Sequence, residues 1–118
     1  MKHLLNFFAK SSISKMFFCF PDPHFKKANY RRRIITYNLL CDYSYVLEKG
    51  GKIYAITDVL KLHEWHLQQL EKHPLFQPVP EEENQNDPCV EAILQETEEG
   101  KKVARNQGKK YYCVYRKI

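Results

Sequence analysis

The sequence predicts an α/β fold, a mainly parallel sheet with flanking helices. Two short apolar runs, Lys15–Phe20 and Ile53–Ile56, have the length and composition of strands buried on both faces. Between and after them apolar residues recur at helical spacing, and turn residues mark each change of period. At 118 residues the chain has room for one domain with one modest core.

Leu4, Phe7 and Phe8 predict a short amphipathic helix ending near Lys10, where Ser11 and Ser12 break it. The first strand follows and stops at Pro21. Pro21-Asp22-Pro23 is a stiff, extended exit, because each proline fixes its own φ and restricts the residue before it. Thr36 can cap a helix whose stripe is Leu39, Leu40, Tyr43, Val46 and Leu47, closed by Gly50 and Gly51. The second strand ends at Thr57 and Asp58. Asp58 can cap the next helix, with Val59, Leu62, His66 and Leu70 on its face and Pro74 as its stop. Phe76–Val79 reads as a short strand, and 81–88 as a polar loop. A helical stretch spans Val90–Leu94, Thr97-Glu98-Glu99 starts another helix, and Tyr111–Arg116 closes the chain as a strand.

No apolar run approaches the roughly 18 to 20 residues that cross a bilayer. The N-terminus has neither a long apolar segment nor a small-residue cleavage site, so no secretion signal is expected. Cys19, Cys41, Cys89 and Cys113 form no C-x-x-C pair and are expected to be reduced and mostly buried, as in an intracellular protein. G-x-S-x-G, G-x-G-x-x-G and the P-loop pattern are all absent, which argues against serine hydrolases and glycine-amide phosphate cradles. His63 and His66 stand three apart with no completing ligand, so no metal site is expected and core or surface histidine is the better reading.

The net charge of +5 suits an anionic partner, and its distribution is more informative. Lys26, Lys27, Arg31, Arg32 and Arg33 fall within eight residues that contain no acid. Ligands of open α/β sheets bind beyond the carboxyl ends of the strands, where Asp22 and Asp58 stand. Asp58 is equally well read as a helix cap. Asp22, followed by Pro23 and the basic run, is the stronger candidate for a functional acid.

These residues carry a family resemblance. Met16–Lys26 (MFFCFPDPHFK) followed by Arg32-Arg33-Ile34-Ile35 resembles the substrate loop of the tRNA (guanine-N7) methyltransferases. So do Ile56-Thr57-Asp58-Val59 with Leu62–Trp65, His73–Phe76, and Thr97–Val103 with Arg105-Asn106. The wording is closest to the eukaryotic type, where His-Phe-Lys follows Asp-Pro. Asp-Pro-His-Phe also echoes the Asp-Pro-Pro-aromatic loop of amino-methyltransferases, but the Thr-Glu-Glu-Gly-Lys-Lys block argues against that alternative.

The resemblance implies the C-terminal half of a class I, Rossmann-like fold. It implies methyl transfer from S-adenosylmethionine to N7 of guanosine 46 in the tRNA variable loop. Asp22 would be the active-site acid, and Lys26 and Asp58 would help hold the guanosine. Lys27, Arg31, Arg32 and Arg33 would face the RNA backbone. Cys19 would touch the cofactor, with Thr97, Glu98 and Glu99 at the cofactor and guanine pocket. A WD-repeat partner subunit and a nuclear location are implied as well. The family's upstream glycine-rich turn and ribose-binding acid are not among these residues. Residues 1–118 are therefore expected to be a partial methyltransferase domain with weak cofactor affinity and an exposed sheet edge. A catalytically inactive fragment that only binds RNA or a partner is the alternative.

Overall fold

A computed structural model describes residues 10–95 and 109–118. Strand β1 (Ile13–Cys19) leads through a 3-10 helix (Lys27–Arg32) into α1 (Tyr37–Val46) and β2 (Leu47–Thr57). Helix α2 (Leu60–Lys72), strand β3 (Phe76–Pro78), short helices α3 (Glu81–Gln85) and α4 (Pro88–Gln95), and strand β4 (Tyr111–Lys117) follow. The predicted helix around Leu4–Phe8 and the one starting at Thr97 lie outside the described residues. No described helix is long and apolar enough to cross a membrane.

The sheet runs β1-β2-β4-β3 among the described residues. The α/β expectation holds, but the sheet is mixed rather than mainly parallel. β1 and β2 pair in parallel, with Met16 opposite Ile53 and Cys19 opposite Ile56. β4 pairs antiparallel with both β2 and β3. The strands β1, β2 and β3 all point one way, as the alternation of strands and helices predicts. β4 then enters between β2 and β3 in reverse, with Tyr111 opposite Thr57, and turns two neighbouring pairings antiparallel.

β2 is buried on both faces, as its uninterrupted apolar run demands. Ile53 and Ala55 join Phe18, Leu40, Tyr43, Leu70, Cys113 and Tyr115 in one core layer under α1 and α2. Tyr54 and Ile56 join Val79, Val90, Ile93 and Val114 in a second layer under α4. β1 departs from its expected double burial, and only Phe18 is buried. It is an edge strand here, and the described helices leave Lys15, Phe17 and Cys19 uncovered on the α4 side. Phe17, 46% exposed, lies flat on Tyr54 at 4.8 Å between ring centroids. The thiols are free, but only Cys113 is buried, against the expectation that most would be.

Local chemistry explains most element boundaries. Thr36 caps α1 as expected, its Oγ1 accepting from the Leu39 amide at 3.2 Å. Asp58 does not cap α2, because the helix begins at Leu60 and Val59 takes the cap position. That leaves Asp58 one residue too early to reach the free amides, and it is exposed. The 81–88 loop instead contains α3 and the start of α4. Asp87 precedes Pro88 and its Oδ1 accepts from the Cys89 amide at 2.9 Å, a cap followed by proline at the first helical position. Its Oδ2 accepts from the Tyr54 hydroxyl at 2.5 Å, which ties α4 to the middle of the sheet. Burial pushes the Asp87 carboxyl up, but Tyr54, the Cys89 amide and Lys52 together hold it below its ordinary value.

α1 stops at Val46, four residues before the glycines read as its stop. The chain turns at once into β2, where Ile13 faces Leu47 but Lys15 faces Lys52, so β2 carries three extra residues in a bulge. Gly50 takes φ +84° there. A Cβ on Gly51 would sit 2.9 Å from the Glu48 carbonyl oxygen and 3.2 Å from that of Ser14, both fixed backbone atoms. Gly51→Ala should therefore lower stability by about 1 to 3 kcal/mol. Urea unfolding should show a lower midpoint with an unchanged slope, and an unshifted midpoint would mean that the bulge can relax.

Candidate active site at the strand carboxyl ends

The parallel pair ends with Cys19 opposite Ile56, and the Phe20 amide extends the ladder by one bond to the Ile56 carbonyl (2.8 Å). The chain then leaves the sheet under backbone strain. Phe20 and His24 adopt φ of +52° and +45°, conformations that bulky residues avoid and that cost about 1 to 3 kcal/mol each. Between them Pro21 and Pro23 flank Asp22. The Asp22 Oδ1 accepts from the His24 amide at 2.9 Å, closing a tight turn. Its second oxygen has no donor among the described residues, and the side chain is 72% exposed.

The loop returns through the 3-10 helix, which buries none of its residues and has no acid in its first turn. A cleft of about 750 Å³ opens between the loop and the start of α1, lined by Asp22, His24, Arg31, Arg32, Ile34 and Thr36 among others. One unpaired carboxylate oxygen and two guanidinium groups therefore share a largely apolar cleft. That combination suits a planar, polar-edged ligand carrying phosphate.

The sequence-predicted residues separate into groups. Asp22, Arg31 and Arg32 meet in the cleft. Lys26 and Lys27 are exposed beside it at the start of the 3-10 helix, next to Phe25, which is 65% exposed. Cys19 and Asp58 mark the same end of the sheet without lining the cleft. Partial burial pushes the Cys19 thiol up from its ordinary value. Thr97, Glu98 and Glu99 lie outside the described residues. Sequence reasoning passed over Thr36 and Ile34 as cleft walls. Thr36 was legible only as a cap, and nothing in the spacing shows that α1 begins at the cleft.

Arg33 is a correction. Rather than facing solvent and RNA it is 4% exposed. Its guanidinium carbon lies 4.0 Å from the Tyr30 ring centroid and 4.7 Å from that of Trp65. Its Nε donates to the Pro23 carbonyl at 2.7 Å. The run of three arginines crosses the 3-10 helix end, and Arg33 turns inward as the backbone becomes extended.

Neither parallel strand is followed by a glycine turn. Phe20-Pro21-Asp22 succeeds β1, and Asp58-Val59 succeeds β2. The described residues thus offer no backbone cradle for an adenosyl group, and they do not fit an S-adenosylmethionine site by themselves. No group of three or more His, Cys, Asp or Glu suited to a metal occurs among them.

A family model described as "Putative methyltransferase" matches residues 1–113. The chain belongs to this methyltransferase family. It is 54% identical over its whole length to a Lodderomyces elongisporus protein named tRNA (guanine-N(7)-)-methyltransferase. Proteins of the same name from Oryza sativa subsp. japonica and Eremothecium gossypii are each 55% identical over all 118 residues. The chain spans 39%, 46% and 42% of these relatives' respective lengths.

Below the cleft, His66 of α2 is 1% exposed and neither ring nitrogen has a hydrogen-bond partner. Burial, then His63 and Arg33, push its pKa down to about 4 from 6.5. The unfolded chain therefore takes up this proton first as pH falls. The contribution to stability is complete above about pH 6.5 and is lost towards pH 4, on the order of 3 kcal/mol. His66→Leu should unfold at nearly the same urea midpoint as wild type at pH 7.5 and at a higher one at pH 4.5. Equal losses in both proteins would show that His66 does not drive acid sensitivity.

Proposed function

We propose that this chain forms the guanosine- and tRNA-facing part of a tRNA (guanine-N7) methyltransferase. The observation that carries the reading is Asp22, with an unpaired carboxylate oxygen, in a cleft shared with Arg31 and Arg32 beyond the parallel strand ends. Relatives of that printed name, 54–55% identical across the whole chain, support it.

The chemistry asks little of the protein. Guanine N7 presents a lone pair, so no base need remove a proton before methylation. Rate then comes from positioning and electrostatics. Asp22 would accept hydrogen bonds from the N–H edge of the guanine and orient N7, without acting as general base. Lys26 and Asp58 would complete the hold on the nucleoside. Lys27, Arg31 and Arg32 would bind backbone phosphate, and exposed Phe25 would stack on an unpaired base. S-adenosylmethionine would supply the methyl group on a sulfonium, with Cys19 at the edge of a site that the described residues do not complete by themselves. A WD-repeat subunit that presents the tRNA and a nuclear location belong to the same reading.

One observation favours a second reading, in which the chain binds RNA or a partner without turnover: neither parallel strand leads into a glycine turn. Methyl incorporation into tRNA separates the two. On the first reading the chain, complemented by the family's cofactor-binding segment, transfers methyl groups, and Asp22→Asn slows transfer about 10²- to 10³-fold. Near-normal turnover in that variant would remove Asp22 from the site, whereas tRNA binding with no transfer at all would support the second reading.

The basic rim has its own measure. Exchanging Arg31 and Arg32 together for Gln should weaken tRNA binding and flatten the plot of log affinity against log salt by about 1.5 to 2. An unaltered slope would take both residues off the RNA surface.

A further inference from the structure

Three arginines in a row behave differently: Arg31 and Arg32 are exposed at the cleft, while Arg33 is buried with no carboxylate paired to it among the described residues. A buried cation is costly unless other groups repay its lost hydration. Here two aromatic faces and one carbonyl do so.

Those partners belong to three separate segments. Pro23 immediately follows Asp22. Tyr30 sits in the exposed 3-10 helix. Trp65 comes from α2, and its Nε1 donates to the Ile35 carbonyl at 2.7 Å, just past Arg33 itself. The Tyr30 and Trp65 rings also meet, at 5.5 Å. Arg33 therefore closes the returning limb of the loop onto its outgoing limb and bolts both to α2. The loop needs such a bond, because the intervening 3-10 helix is buried nowhere and pairs with no strand.

We propose that Arg33 is a positioning residue, which holds Asp22 and the basic turn in register through Pro23 rather than by touching RNA. A guanidinium suits this work because it is flat enough to lie against two rings while its Nε–H points along its own plane to a carbonyl. A lysine ammonium has the charge but neither the plane nor that direction. The inference rests on the reading of this loop as the RNA-facing site, although the clamp itself can be measured without RNA.

Arg33→Lys in this 118-residue chain is the test, because it preserves net charge. Amide exchange across 23–33 should quicken about tenfold or more, while exchange in β2 stays as in wild type. Trp65 is the only tryptophan, so a shift in its emission reports loss of the stacked guanidinium. Affinity for tRNA should fall severalfold with the salt slope unchanged. Should Arg33→Lys fail to fold, Tyr30→Leu removes one stacking face and should loosen the same amides to a smaller degree.

Wild-type exchange and emission in both variants would overturn the clamp. A looser loop with full tRNA affinity would overturn the positioning role, and a salt slope reduced by about one in Arg33→Gln, which removes the charge, would make Arg33 a direct phosphate contact instead. If the wild-type chain binds no tRNA, the RNA reading fails, while exchange and emission still decide the clamp.

Discussion

Strand β2 must be covered on both sides, and most of the architecture follows from that requirement. Its run from Ile53 to Thr57 leaves no polar face for solvent. A strand of this kind cannot form an edge or a two-layer sheet. It needs a neighbour on each side and a helical layer above and below. β1 and β4 supply the neighbours, and α1 with α2 supply one layer. On the other face α4 is held down by the bond from Tyr54 to Asp87, so that a strand residue fixes the helix that buries it. The loop that carries Asp22 hangs from the same frame, since it leaves β1 where the ladder with Ile56 ends.

Elements with a single strong determinant were legible in the sequence. Thr36 marks the start of α1 because a hydroxyl at that position can satisfy a free amide. The β2 run reads as buried because nothing in it is charged. Elements decided by distant partners were not legible. The reversal of β4 depends on which end of the sheet the chain re-enters, and local propensity at Tyr111–Arg116 is silent on that. Gly50 and Gly51 read as a helix stop by composition, yet they serve a bulge set by pairing with β1. Asp58 and Asp87 show the same contrast. Both are acids ahead of helices, and a difference of one residue in the helix start makes Asp87 the cap and leaves Asp58 free.

The candidate site was legible in outline. An acid at a strand end followed by an unbalanced basic run is visible without coordinates, and Asp22, Arg31 and Arg32 do converge. What sequence could not distinguish was one arginine from the next. Arg32 and Arg33 have the same chemistry and adjacent positions, but one end of a 3-10 helix separates a solvated side chain from one sandwiched between rings. The same limit hid Thr36 and Ile34, whose place in the cleft wall arises only when α1 folds back beside the loop.

The two prolines around Asp22, with the unusual backbone of Phe20 and His24, bear on the thermodynamics of ligand capture. A mobile loop surrenders its freedom when the ligand arrives, and that loss is deducted from affinity. Here the rings of Pro21 and Pro23 have already removed much of that freedom from the unfolded chain. The rest is surrendered when the domain folds and the strained residues lock. Any ligand captured at this cleft would therefore meet a surface already ordered, and the strain that secures this lowers the stability of the fold instead of the affinity of the encounter.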